Sequence, residues 1–329
     1  MFAEAHGESH TDSGIVGLDR QLVEVLKKDG RISYSDLSRI VGLSGDAVRV
    51  RLNHLISQGK IKVVGSVSAA VLGCGSFALA ALKVHGPSRA VARRIAEIPT
   101  VDFVACVAGQ YDVLVQLACR DDEELLTNID DRIRTIEGVV VQDVFTYLTI
   151  EKDLTGTDPE QPSESAPLPS LDKADRALIK ALQSDGRASF RELQEVSGLT
   201  YSSTRRHVRA LMDSGLLRIV TIENPLSMRS RVQATIGVTV HGPIGPALTT
   251  LKQIPEIEVL ITAAGSFDLL MEVSCTDKEA LARLTGDRLR TIAGVVGSHT
   301  LQYLEVVKLP YAWAGLVHDS LGLPIGPTD

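Results

Sequence analysis

The chain has 329 residues, 44% of them hydrophobic, with 34 Lys and Arg against 41 Asp and Glu for a net charge of −7. That length and apolar share point to a globular protein of two or more domains with real cores. No run of about 18 apolar residues is present to span a membrane, and the N-terminal residues Glu4, His6, Glu8, His10 and Asp12 lack the basic-then-apolar layout of a signal peptide; a cytoplasmic protein with no membrane partner is expected.

Taken in chain order, residues 1–17 are polar and irregular and read as a disordered tail. Three helix signals follow within 18–64. Leu18, Leu22, Val25 and Leu26 recur at helical spacing and stop at Asp29-Gly30, where glycine suits a C-terminal cap. A second helix is expected after Ser35, with Leu37, Ile40 and Val41 inward and Gly42 ending it. Ser44 caps a third, whose Val48, Leu52 and Leu55 share one face. Two short helices joined by a tight glycine turn make a helix-turn-helix, and the β-branched run 61–64 reads as a wing or exit strand. After a connecting strand at 65–76, residues 77–150 alternate strand 77–84, helix 88–97, strands 101–107 and 113–119, helix 121–134 and strand 139–148. That βαββαβ order predicts a ferredoxin-like sandwich. Residues 151–170, with Pro159, Pro162, Pro167 and Pro169 among Ser, Thr, Asp and Glu, read as a linker.

Everything then returns at an offset of 156. Gly30-Arg31 reappears as Gly186-Arg187, His85-Gly86-Pro87 as His241-Gly242-Pro243, Arg134-Thr135-Ile136 as Arg290-Thr291-Ile292, and Tyr147-Leu148 as Tyr303-Leu304. Residues 171–222 are therefore a second winged helix-turn-helix, 223–232 a connector, 233–308 a second ferredoxin-like domain, and 309–329 a tail that Trp313 anchors. Solenoid repeats are far shorter than this unit, so the chain reads as a fused dimer of class α+β. Each sheet has a face that its own two helices leave bare, and the two sheets are expected to pack together as an intrachain pseudo-dimer. Cys74, Cys106, Cys119 and Cys275 form no CxxC pair and read as core, and His85 and His241 belong to turns; neither set suggests a metal site.

The acidic total conceals basic heads. From Asp19 to Val64 nine Lys and Arg stand against five Asp and Glu, and from Asp175 to Val220 eight against five. On the third helix of the second copy, Thr204, Val208 and Leu211 take the core face. Ser202, Arg205, Arg206 and Arg209 are left on the outer one, with Tyr201 at the helix start. Such a stripe suits a recognition helix in the major groove of double-stranded DNA, its arginines meeting guanine edges or phosphates. The first copy offers Ser44, Gly45, Arg49, Arg51 and Asn53, but Asp46 repels phosphate, so the two heads are not expected to read the same sequence.

This layout resembles the Lrp/AsnC family of prokaryotic transcription regulators over nearly the whole chain, twice. The marks are Asp19-Arg20 and Asp175-Arg176, Asp-Gly-Arg at 29–31 and 185–187, Gly-Leu-Ser/Thr before the third helix, Gly109-Gln110-Tyr111-Asp112 with Gly265-Ser266-Phe267-Asp268, and Gly138-Val139 with Gly294-Val295. The resemblance implies winged helix-turn-helix domains, ferredoxin-like ligand-sensing (RAM) domains, and assembly of dimers into larger rings, so a dimer or tetramer of this fused chain is expected. It also implies a pocket for a small effector, often an amino acid, between dimers, near the Gly-x-Tyr-Asp turn and a hydroxyl-bearing strand. Mapped here, the effector residues are Gly265, Phe267, Asp268, Ser298 and Thr300, with Tyr111 and Asp112 in the first copy, where Gln142 and Val144 replace the hydroxyls. Neither enzymatic activity nor a cofactor is expected. Siroheme decarboxylases look similar and sometimes occur as fused pairs, but the arginine stripe would serve no purpose in an enzyme, and no cluster of His and Arg suits a tetrapyrrole.

Overall fold

The computed structural model describes residues 12–67, 74–152, 171–223 and 231–308. Residues 1–11 of the expected tail, 153–170 of the linker, 68–73 and 224–230 of the connectors, and the C-terminal segment with Trp313 lie outside the described residues. The first copy comprises α1 (Asp12–Lys28), α2 (Tyr34–Val41), α3 (Gly45–Ser57), β1 (Ile61–Val67), β2 (Ser76–Val84), α4 (Ser88–Ala96), β3 (Val101–Ala108), β4 (Val113–Cys119), α5 (Asp122–Thr127) and β5 (Val139–Lys152). The second comprises α6 (Lys173–Ser184), α7 (Phe190–Ser197), α8 (Tyr201–Asp213), β6 (Leu217–Glu223), β7 (Val232–Val240), α9 (Gly245–Lys252), β8 (Ile257–Ala264), β9 (Leu269–Cys275), α10 (Lys278–Arg283) and β10 (Val295–Lys308). The chain divides into two compact units, one holding the heads (through Ser66, and Ala177–Asn224) and one holding the sheets.

In the head unit, local chemistry sets the helix ends. Ser33, Ser44, Ser189 and Thr200 each accept a backbone N–H from the first turn, and Gly42 and Gly198 close α2 and α7 at φ 71° and 68°. Helix α2 starts earlier than expected, under the Ser33 cap, and Leu37 is its buried anchor, while Ile40, expected inward, is 59% exposed. Val48, Leu52 and Leu55 of α3 and Thr204, Val208 and Leu211 of α8 are buried as expected. The strands after the third helices are exit strands: β1 and β6 pair into one ribbon shared by the two heads.

That ribbon explains the repeated Gly-Arg. The backbone at Gly30 is not left-handed, so the residue is no cap. A Cβ there would sit 2.8 Å from Ile219 Cγ2, and one at Gly186 would sit 2.9 Å from the backbone nitrogen of Val64. The Gly186 N–H donates to the Val63 carbonyl at 2.8 Å, so each turn rests directly on the ribbon.

In the sheet unit, each copy forms the expected four-stranded sheet. The two join at both edges as well as face to face, closing one eight-stranded antiparallel barrel in the order β10-β3-β4-β2-β5-β8-β9-β7. Strand β5 pairs with β2 of its own sheet and then with β8, Thr146 opposite Ala264; β10 pairs with β7 and then with β3, Gln302 opposite Ala108. Register shifts after Tyr147 and Tyr303 accompany these crossings, as bulges bend strands. Closure removes the open edges that a four-stranded sheet would expose. The lumen holds residues of both copies, including Leu79, Phe103, Tyr111, Phe145, Ile261, Phe267, Leu301 and Tyr303, and separate apolar layers lie under each copy's helices. All four cysteines are buried and free. No helix among the described residues is long and apolar enough to cross a membrane.

Candidate nucleic-acid interface and effector turns

Helix α8 follows the tight turn at Gly198 and buries one face, which leaves Ser202, Arg205, Arg206 and Arg209 exposed on the other. Arg206 has no ion-pair partner among the described residues. Arg209 lies 3.6 Å from Asp213, both well exposed, a pairing that water weakens. The Arg205 guanidinium stands 5.5 Å from the Phe190 ring centroid, and the Tyr201 ring meets the same ring edge-on at 6.1 Å.

Equivalent positions on α3 differ in kind. Asp46 stands where Ser202 is and takes a hydrogen bond from Arg49 at 3.2 Å, and Val50 and Asn53 replace Arg206 and Arg209. Ser44 spends its hydroxyl on capping the helix through Ala47 N–H, and Gly45 opens the first turn. Arg51 corrects the sequence expectation: its side chain turns inward to an ion pair with Asp19 on α1, because it lies one residue from the buried Leu52 and off the outer stripe.

On the barrel, each Gly-x-aromatic-Asp turn sits against the other copy's last strand. A Cβ on Gly109 would meet Leu301 Cδ2 at 2.9 Å and the Thr300 carbonyl at 3.1 Å, and one on Gly265 would meet Phe145 Cδ1 at 2.7 Å. The aspartates pin these turns. Asp112 accepts the Val84 N–H at 2.9 Å and Asp268 the Val240 N–H at 2.7 Å. Tyr111 and Phe267 are buried in the lumen. Ser298 and Thr300 lie on the opposite face of β10, since Leu301 and Tyr303 point into the lumen and neighbouring strand residues alternate. The structure therefore brings the two turns together but divides the expected effector residues between two faces of the sheet.

Sequence reasoning missed the residues under the turns. Tyr111 Oη donates to Asp143 Oδ2 at 2.5 Å, and Ser266 Oγ of the other turn donates to Asp143 Oδ1 at 3.3 Å. Burial first, then Asp143, pushes the Tyr111 phenol up to about 12. In the second copy Asp143 becomes His299, whose ring lies 5.2 Å from that of Phe267. The paired change was visible in the repeat: Tyr with Asp in one copy, Phe with His in the other.

An AsnC-type helix-turn-helix domain matches residues 17–56, a winged helix-turn-helix DNA-binding domain 171–218, and the Lrp/AsnC ligand binding domain matches twice, at 77–155 and 233–313. The HTH-type transcriptional regulator FL11 of Pyrococcus horikoshii is 31% identical over 140 residues, 42% of this chain and 92% of that protein. The chain belongs to the Lrp/AsnC family. An uncharacterized HTH-type transcriptional regulator of Pyrococcus abyssi is 30% identical over 137 residues, covering 41% of this chain and 87% of the relative, so such relatives of this Lrp/AsnC chain match about one copy of it. The crystal structure of the siroheme decarboxylase NirDL shares the fold over 92% of this chain and 98% of its own, with a TM-score of 0.59 at 14% identity.

Proposed function

We propose that this chain is a fused-dimer transcription regulator of the cytoplasm that docks double-stranded DNA chiefly through its second head and answers a small effector such as an amino acid. One observation carries the assignment of the work to that head. Equivalent outer faces present Arg205, Arg206 and Arg209 on α8 but Arg49, Val50 and Asn53 on α3, with Arg49 already paired to Asp46. Phosphate neutralisation supplies most of the affinity for DNA, so three arginines outweigh one. Ser202 and Tyr201 complete the second-head surface, and Ser44, Gly45, Arg49 and Asn53 make the lesser contacts of the first.

For the effector, the hydroxyls of Ser298 and Thr300 on the outer face of β10 are the binding groups. Gly265, Phe267, Asp268, Tyr111 and Asp112 form the scaffold behind them. Val140 and Leu148 on β5 recur as Val296 and Leu304 on β10, exposed by 47, 62, 66 and 61%. Apolar positions left bare in both copies suit contact between chains, and support a dimer or tetramer of the fused chain with the effector at that contact.

Fluorescence anisotropy with a labelled duplex, selected from random sequence by the whole chain, tests the DNA reading. Tight, salt-dependent binding is expected, and no binding at low salt overturns it. The NirDL likeness supports an enzyme reading only through the fold. A tetrapyrrole absorbance band retained by the purified chain would favour that alternative.

A further inference from the structure

Phe190, the first residue of α7, has ring neighbours from three directions. The Arg31 guanidinium of the first head lies 5.1 Å from its centroid, Arg205 of α8 lies at 5.5 Å, and Tyr201, one turn earlier on α8, meets it edge-on. Both guanidinium distances fall within the range in which a ring face attracts a cation. The first copy builds only part of this. Its equivalent, Tyr34, has Arg187 at 4.9 Å from its centroid, but the counterpart of Arg205 is Arg49, which Asp46 holds by a hydrogen bond. Serine at 202 removes that carboxylate in the second copy, so Arg205 is left to the aromatic ring.

We propose that Phe190 is a positioning residue for DNA recognition: it holds Tyr201 and Arg205 in the poses that meet the duplex, and braces them against Arg31 of the first head. The first head thereby serves recognition by steadying its partner as well as by any contact of its own. A long arginine has many rotamers, and fixing it beforehand lowers the ordering cost of binding. This inference rests on the DNA-binding reading above.

The test is a double-mutant cycle on the whole chain, with the duplex selected by the wild-type protein as probe and melting temperature followed in parallel. Phe190→Leu keeps an apolar side chain and removes the ring face; it is expected to weaken binding roughly five- to tenfold. Phe190→Tyr is expected to restore binding, and Arg205→Ala to lose about as much as Phe190→Leu. The double variant Phe190→Leu/Arg205→Ala is expected to lose clearly less than the product of the two single losses, the mark of coupled residues. Tyr34→Leu removes the matching stack between heads and is expected to change affinity less than twofold. Equal losses from Phe190→Leu and Tyr34→Leu, or single losses that multiply in the double variant, overturn the positioning role while leaving DNA binding intact. Failure of the wild type to bind any duplex overturns both.

Discussion

Arg31 and Arg187 trade places across the head interface. Arg31 donates to the carbonyl oxygens of Gly186 and Ala188 at 2.9 and 2.8 Å, and Arg187 donates to those of Gly30 and Ile32 at 2.7 and 2.9 Å. Burial first, then the charge of Arg187, pulls the Arg31 pKa down, while Asp185 and Asp29 oppose the shift. The interface therefore depends on four hydrogen bonds from charged donors to carbonyls, each worth more than a neutral one.

Gly186→Ala is expected to loosen this interface, because its Cβ would meet the backbone of Val63 and Val64 at 3.0 and 2.9 Å. Backbone atoms cannot swing aside as side-chain tips can. A loss of about 1–3 kcal/mol in urea unfolding is expected. A substitution that leaves the midpoint unchanged would refute the close approach.

Arg206→Ala is expected to weaken duplex binding several-fold and to reduce the slope of log affinity against log salt by about one, the signature of one lost phosphate contact. Arg49→Ala, which removes an arginine already paired to Asp46, is expected to do less on both measures. Equal effects would mean that the two heads share the duplex evenly.

Glu272 gives the barrel a pH dependence. On β9 it faces the lumen between Leu270 and Ser274, where burial first, then Glu258 and Asp102, raises its carboxyl from 4.5 to about 7. Tyr147 and Tyr303 share this environment, both held well above their ordinary values by burial. A carboxyl whose pKa is raised by folding costs nothing below its unfolded value, where both states are protonated. From there the folded state loses stability as pH rises to about 7, and the penalty is constant above. At 1.36 kcal/mol per unit the loss reaches up to about 3 kcal/mol. Glu272→Gln is expected to raise the melting temperature at pH 8 and leave it unchanged at pH 4; a uniform shift at both would assign the effect to packing.

Leu304→Glu combined with Leu148→Glu is expected to reduce the assembly to single chains, measured by light scattering at micromolar concentration. Both positions are more than half exposed, so the substitutions leave the barrel's own stability nearly unchanged. Retention of the larger species would place the contact elsewhere.

Much of this fold was legible because its signals are local. Ser44 and Gly42 announce helix ends within four residues, and the 156-residue offset doubles every mark, so both heads and the βαββαβ order follow from the chain alone. The closed barrel was not legible in the same way. That β5 leaves β2 for β8 depends on a bulge after Tyr147 and on which edges meet, and strand pairing over such separations leaves no periodic trace. The same limit misled the reading of Gly30, whose hydrogen atom faces Ile219 nearly two hundred residues away, and of Arg51, whose partner Asp19 sits on another helix. At the Gly-x-aromatic-Asp turns, the family resemblance pointed to Tyr111, Phe267, Ser298 and Thr300 but not to the alternation that turns the aromatics into the lumen and the hydroxyls away from it.

The carboxyl of Glu272 has a genetic corollary. At the position equivalent to Glu272, the first copy has Gln116, whose amide oxygen accepts the Tyr147 hydroxyl at 3.3 Å. In a barrel made from two identical chains, a mutation to glutamate arrives on both sides at once and adds two carboxyls rather than one. Joining the copies in one reading frame lets an ionisable group be introduced on one side only, at half the electrostatic dose. Duplication thus opens to this barrel a class of one-sided substitutions that two-fold symmetry denies to its unfused counterparts.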